Sequence, residues 1–284
     1  MRQLKGIQRE DGGRNMRNLS EQKKHYLLLQ INDALFPIGG YSHSYGLETY
    51  IQKGIVKDAK TARAYIRSML LHSFCQNELL TVAMAYDLAE QFDFAEQFDF
   101  ALNGNHPNRV NVDIEKSVMQ DDTSEKNMEI LARLAELDEM VTATRVAMEI
   151  RQAGEKLGSR FIKTVSAWEI PFKSKIFHEY IKLPGAKNHS VVYGVFCAGA
   201  GIDRQMMLEH YLYAQTSAMV TNCVKTVPLS QTAGQQILFE AQELFDEVMT
   251  RLTGLDEDDL GAEAPGFEIR CMQHEALYSR LYMS

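Results

Sequence analysis

Apolar residues recur along most of this chain every three or four positions, the spacing of one buried helical face. In Y-L-L-L-Q-I-N-D-A-L-F, Leu28, Ile31 and Leu35 share a face, and Ser20 is placed to cap the first free N–H groups. Tyr45 to Lys53 reads as a short helix closed by Gly54. Asp58 caps a predicted helix from Ala59 to about Phe74, with Ala62, Ile66, Met69 and Leu70 as its stripe; a further helix is predicted from Asn77 to Glu90. A long helix is predicted over Val141 to Trp168, with Ile150, Leu157, Phe161 and Val165 on one side and Glu149, Lys156, Arg160 and Lys163 on the other. Pro171 interrupts it. Short helices follow over 172–182 and about 189–200. Asp203 opens another long helix that Pro228 ends, and Thr232 to Thr253 is amphipathic again. Strand signals are confined to Val110–Val112 and Ser190–Val195. The pattern predicts an all-α fold, a single-domain bundle of about ten helices over residues 20–284.

Two stretches break the pattern. Residues 1–19 are polar and Gly-containing, and are expected to form a flexible N-terminal tail. Residues 103–127 are rich in Asn, Asp and Gly and read as a polar insertion, with helix resuming near Ser124. Just before it, A-E-Q-F-D-F at 89–94 repeats at 95–100, a period that fits neither a helix nor a heptad.

Composition narrows the function classes. The chain has 284 residues, 45% of them hydrophobic, so a sizeable core is expected. Its net charge of −8 argues against nucleic acid as the main partner, since phosphate binding needs a basic field. No apolar run approaches the roughly 20 residues of a membrane span, and the basic N-terminus has no apolar secretory core. Cys75, Cys197, Cys223 and Cys271 show no C-x-x-C pairing and read as small buried hydrophobes in a reducing, cytoplasmic setting.

The stretch F-P-I-G-G-Y-S-H-S-Y-G-L-E at 36–48 is unlike an ordinary connector. Pro37 stops the preceding helix, Gly39 and Gly40 permit a sharp turn, and Ser42 or Ser44 is placed to cap the next helix. Tyr41, His43, Tyr45 and Glu48 add aromatic and ionisable groups, with His43 and Glu48 the best local pair for fixing the loop by hydrogen bonds. The C-terminal segment 268–284 is similarly rich. It carries Arg270, His274, Glu275, Tyr278, Arg280 and Tyr282 among Met and Leu residues, types enriched where surfaces meet. It is read as a docking tail, on its own chain or on a partner. Arg280 is expected to reach Tyr41 and so join tail to loop.

Catalytic signatures are weak. There is no P-loop, no G-x-S-x-G elbow, no H-E-x-x-H and no Cys/His cluster, so no catalytic, cofactor or metal residues are assigned. Asp121-Asp122-Thr-Ser-Glu125 imitates a diphosphate-binding D-D-x-x-E but sits in the most polar part of the chain. A helical metal- or diphosphate-dependent enzyme using Asp121, Asp122 and His43, and a generic helical scaffold, are the alternatives.

Five ordered stretches resemble the urease accessory protein F family: 36–48; E-L-D-E-M-V-T-A-T-R at 136–145 with L-G-S-R-F at 157–161; H-Y-L-Y-A-Q at 210–215; V-P-L-S-Q-T-A-G-Q at 227–235; and M-Q-H-E-A-L-Y-S-R-L-Y-M-S at 272–284. The resemblance covers most of the chain. It implies an all-helical, non-catalytic and often dimeric factor that binds the accessory protein called D or H. It also implies recruitment of the GTPase accessory protein G to support nickel delivery to apo-urease. Tyr41, His43 and Arg280 are the residues on which that role is expected to turn.

Overall fold

The computed structural model describes residues 19–40, 43–92, 109–262 and 265–283, with side chains between 109 and 262 described from Thr123 onward. Among the described residues there are ten helical rods and no strand. They are α1 (Glu21–Ile31), α2 (Leu47–Gln52), α3 (59–90), α4 (Arg109–Thr144), α5 (Met148–Val165), α6 (Ile176–Tyr180), α7 (His189–Gly199), α8 (Arg204–Thr226), α9 (231–252) and α10 (Pro265–His274). Among the described residues no helix is long and apolar enough to cross a membrane.

Local chemistry starts several rods where the sequence predicts. Ser20, Asp58 and Asp203 accept from Lys23 N, Thr61 N and Met206 N, and Thr61 completes a capping box with Asp58. Gly54 takes φ +68° after α2. The rod α3 is composite: α-helical over Ala59–Met69, π-helical over Leu70–Leu79 and α-helical again over Leu80–Glu90. Its first part packs on α9 and its last part lies along α7. There Gly194 brings the backbones so close that a Cβ would sit 2.6 Å from the Val82 carbonyl.

The core is centred on Phe161 of α5, fully buried, whose ring meets Phe36, Tyr193 and Phe196 with centroids 5.7, 6.1 and 5.3 Å away. All four cysteines are buried and unbridged. Tyr86 donates to the Ile202 carbonyl at 2.6 Å, and Asp138 accepts from the Asn188 amide at 2.8 Å and from the Tyr180 hydroxyl, so these interior groups find their partners across helices.

Several expectations shift. Val110–Val112 lies in α4 and Ser190–Val195 in α7, so both strand hints are helical; the apolar β-branched run of α7 packs equally well in a helix buried on all sides. Helix begins at Arg109, well before Ser124, so 109–127 is not a loop. The rod expected over Val141–Trp168 is two rods broken at 145–147, for reasons given below. The 172–182 helix shrinks to Ile176–Tyr180. Residues 1–18 and the repeated hexapeptide from 93 onward lie outside the described residues.

Candidate functional site

The loop 36–48 is pinned from three directions. Phe36 inserts between Phe161 and Trp168. Arg160 of α5 donates to the Ile38 carbonyl at 3.1 Å, and Asn222 of α8 donates to the His43 carbonyl at 2.9 Å. Of the two glycines expected to turn the chain, Gly39 does so with φ +84°. The sharpest bend comes later. Tyr45 takes φ +52° and Gly46 φ +78°, and Gly46, with no side-chain cap, occupies the N-cap of α2 where Ser42 or Ser44 was expected. Gly46 is also where α10 presses in: a Cβ there would lie 3.0 Å from Cys271 Sγ and 3.2 Å from Cys271 N. Lack of a side chain thus serves both the turn and the seating of the C-terminal segment.

That segment docks on its own chain through one charged cluster. Glu48, in the first turn of α2, is 9% exposed. Its Oε1 accepts from the Leu281 amide at 2.8 Å and its Oε2 from the Tyr282 amide at 3.0 Å. The same carboxylate faces His274 Nε2 at 3.0 Å, while His274 Nδ1 faces Glu149 Oε2 at 2.7 Å. Arg280 pairs with the other oxygen of Glu149. Carboxylates only accept, so every bond is made when both ring nitrogens of His274 carry protons. Two carboxylates then balance an imidazolium and a guanidinium, with the imidazole wholly enclosed.

The N-terminus of α5 completes the attachment. Ala147 N donates to Glu268 at 3.4 Å and Met148 N to Glu275 at 2.8 Å, so two α10-side carboxylates satisfy orphan amides at the positive end of α5. This is why the expected long helix breaks. Arg145 turns inward to Glu78 at 2.8 Å, Arg151 donates to the Arg145 and Val146 carbonyls, and the restarted helix is capped from the tail. On the other flank, Thr49 donates to the Arg270 carbonyl at 2.9 Å, and the Arg270 guanidinium lies 5.8 Å from the Tyr50 ring centroid.

Behind the loop is a cavity of about 780 Å³, bordered by Tyr45, Glu78, Arg145, His189 and Tyr211. Burial pushes the Glu78 carboxyl above its usual pKa, opposed by Arg145. Burial lowers His43 to about 4, reinforced by Arg160 and Lys156, and lowers His189 to about 4. His189 Nε2 is buried without a hydrogen-bond partner among the described residues. No group of three His, Cys, Asp or Glu side chains suited to a metal occurs among the described residues.

The residues singled out in the sequence therefore fall into distinct places. His274 and Arg280 meet at Glu149, and Glu48 holds the other side of His274. Glu275 caps α5, Arg270 flanks α2, and Tyr282 is buried with its amide on Glu48. Tyr278 is fully exposed. Glu48, expected to pair with His43, takes the partners described for it from the tail: His274 and the Leu281 and Tyr282 amides. Tyr41 and Ser42, and the side chains of Asp121 and Asp122, lie outside the described residues. Arg280 pairs with Glu149, a residue the sequence pattern left on an exposed helix face. Nothing local marks Glu149; its partners lie 125 and 131 positions away.

Comparison with known proteins fits this architecture. The UreF family model matches residues 56–242. Over 265 residues the chain is 32% identical to a protein of Bacillus sp. (strain TB-90) named urease accessory protein UreF, covering 90% of this chain and 97% of that one. Proteins with the same name from Haemophilus influenzae (strain PittEE) and Actinobacillus pleuropneumoniae serotype 3 (strain JL03) are 31% and 30% identical over 258 residues, covering 90% of this chain and 94% and 97% of theirs. A helical protein organised around a docked tail, with such relatives, falls in the class of urease accessory proteins. Within that class, the chain belongs to the UreF family.

Proposed function

We propose that this protein supports urease maturation in the cytoplasm as a non-catalytic adaptor. In this reading it binds accessory protein D or H, recruits and modulates the GTPase accessory protein G as a homodimer, and so promotes nickel insertion into apo-urease. Family membership supports the role in urease maturation. The observation that supports an adaptor is the docked C-terminal segment. Glu48 and Glu149 hold its backbone and basic groups inward, while Tyr278, Leu281 and Met283 project to solvent beside exposed Val146, Met148 and Met272. Apolar and aromatic side chains presented on a fixed backbone bind partners at low entropic cost. The attachment is therefore read as the device that shapes a recruiting surface, with Arg280 as its outermost clasp.

The test is co-expression of urease and its accessory set with wild-type protein, with Arg280→Ala, and without this chain. Arg280→Ala should weaken recovery of the GTPase on accessory-protein pull-down and reduce nickel-dependent urea hydrolysis. Full urease activation in the absence of the chain would overturn the proposal.

A further inference from the structure

Two histidines outside the docked tail face each other across a helix pair. His25 lies on α1 and His210 on α8, two helices in contact. Their ring centroids are 5.3 Å apart and their planes stand at 83°. His25 is exposed and His210 half-buried. The rings meet edge to face, and neither makes a hydrogen bond among the described residues. Nearby acidic groups are engaged elsewhere: Glu21 pairs with Lys24 at 2.7 Å and Glu209 accepts from Gln205 at 2.7 Å.

The spacing matches a chemical requirement. A transition metal binds an imidazole nitrogen at about 2.1 Å, so two imidazoles on one tetrahedral ion have centroids roughly 5 Å apart. We propose that His25 and His210 form a surface site for one borderline divalent cation, of the zinc or nickel type, with water completing the coordination. Imidazole suits such ions, whereas magnesium and calcium require oxygen ligands. Burial and the neighbouring His25 also hold His210 below its usual pKa, which favours the neutral ring that metals require. The bound ion would clamp α1 to α8. This inference does not depend on the adaptor role.

Two ligands are half of a closed site and supply about half its binding free energy, so a dissociation constant of roughly 1–100 µM is expected. The test uses untagged full-length protein at pH 7.5, titrated calorimetrically with Zn²⁺ alone and with Ni²⁺ alone, with melting followed in parallel. The expected result is one ion per chain and a raised melting temperature. His25→Ala and His210→Ala should each weaken binding by more than about tenfold, since even an outer-shell partner is worth that much. His72→Ala, at an exposed histidine on α3, serves as the control and should bind as wild type. No binding of either ion at 1 mM, about tenfold above the weakest affinity expected, would overturn the proposal. Affinity unchanged by either His25→Ala or His210→Ala would overturn it equally.

Discussion

Replacing Glu48 by Ala removes the acceptor of three bonds at once: from Leu281 N, Tyr282 N and His274 Nε2. Bonds to an ionised acceptor contribute about 1.5–3 kcal/mol each, and a buried donor left alone costs a similar amount. Summing all three would overstate the effect. The segment 275–283 can instead detach and hydrate its donors, so the loss is capped at the free energy of docking. For the two tail amides alone, about 1.5 kcal/mol each gives about 3 kcal/mol, or roughly a hundredfold in the docking equilibrium. Amide hydrogen exchange reads this directly, because the Leu281 and Tyr282 amides are themselves the bonded donors. In Glu48→Ala both should exchange about a hundredfold faster, while core amides of α7 keep their rates. Glu48→Gln keeps one acceptor oxygen and should fall between. Unchanged exchange at Leu281 and Tyr282 in the Ala variant would refute the assignment of Glu48 as the anchor.

Gly46→Ala should destabilise by about 1–3 kcal/mol, through φ +78° and the contact with Cys271, with Gly40→Ala, whose Cβ meets nothing within 4 Å, as the tolerated control in urea unfolding. Gly158→Ala puts a Cβ 1.9 Å from the Lys187 carbonyl, so α5 must part from the chain entering α7; loss of soluble protein, or a melting temperature lower by at least several degrees, is the expected result. His189 is lowered from 6.5 to about 4 by burial, so its stabilising contribution is complete above pH 6.5 and is lost as pH falls towards 4, by about 3 kcal/mol in total. Asp138 runs the other way: burial raises its carboxyl to about 6, so its contribution is present below its unfolded value of 3.8 and is lost as pH rises through 6. Urea midpoints from pH 7.5 to 4.5 should therefore fall less steeply for His189→Gln than for wild type, and identical slopes would refute the burial argument.

What could be seen in the sequence was what local chemistry decides. Ser20, Asp58 and Asp203 announce their helices because a short polar side chain before an apolar stripe satisfies amides only a few residues away. Glu48, His274 and Arg280 stood out by composition, but Glu149, the partner that His274 and Arg280 share, did not. Glu149 looks like any solvent-facing acid of an amphipathic helix until α10 folds across it. The break at 145–147 was equally hidden. V-T-A-T-R-V-A-M contains no Gly or Pro, and the interruption depends on Glu78, Glu268 and Glu275, each supplied by a different part of the chain. The bend after Ser44 was misplaced because serine is a good N-cap, whereas close approach of Cys271 selects glycine at 46.

The π-helical segment in α3 acts as a phase shifter. Each residue advances an α-helix by about 100°, so the wide turns between Leu70 and Leu79 let Ala59–Met69 address α9 while Leu80–Glu90 addresses α7, along one continuous rod. Shortening that stretch by one amino acid would rewind it to ordinary α geometry and swivel one end against its neighbour. Gly194 would then meet the wrong side of the helix, and Glu78 would swing out of reach of Arg145.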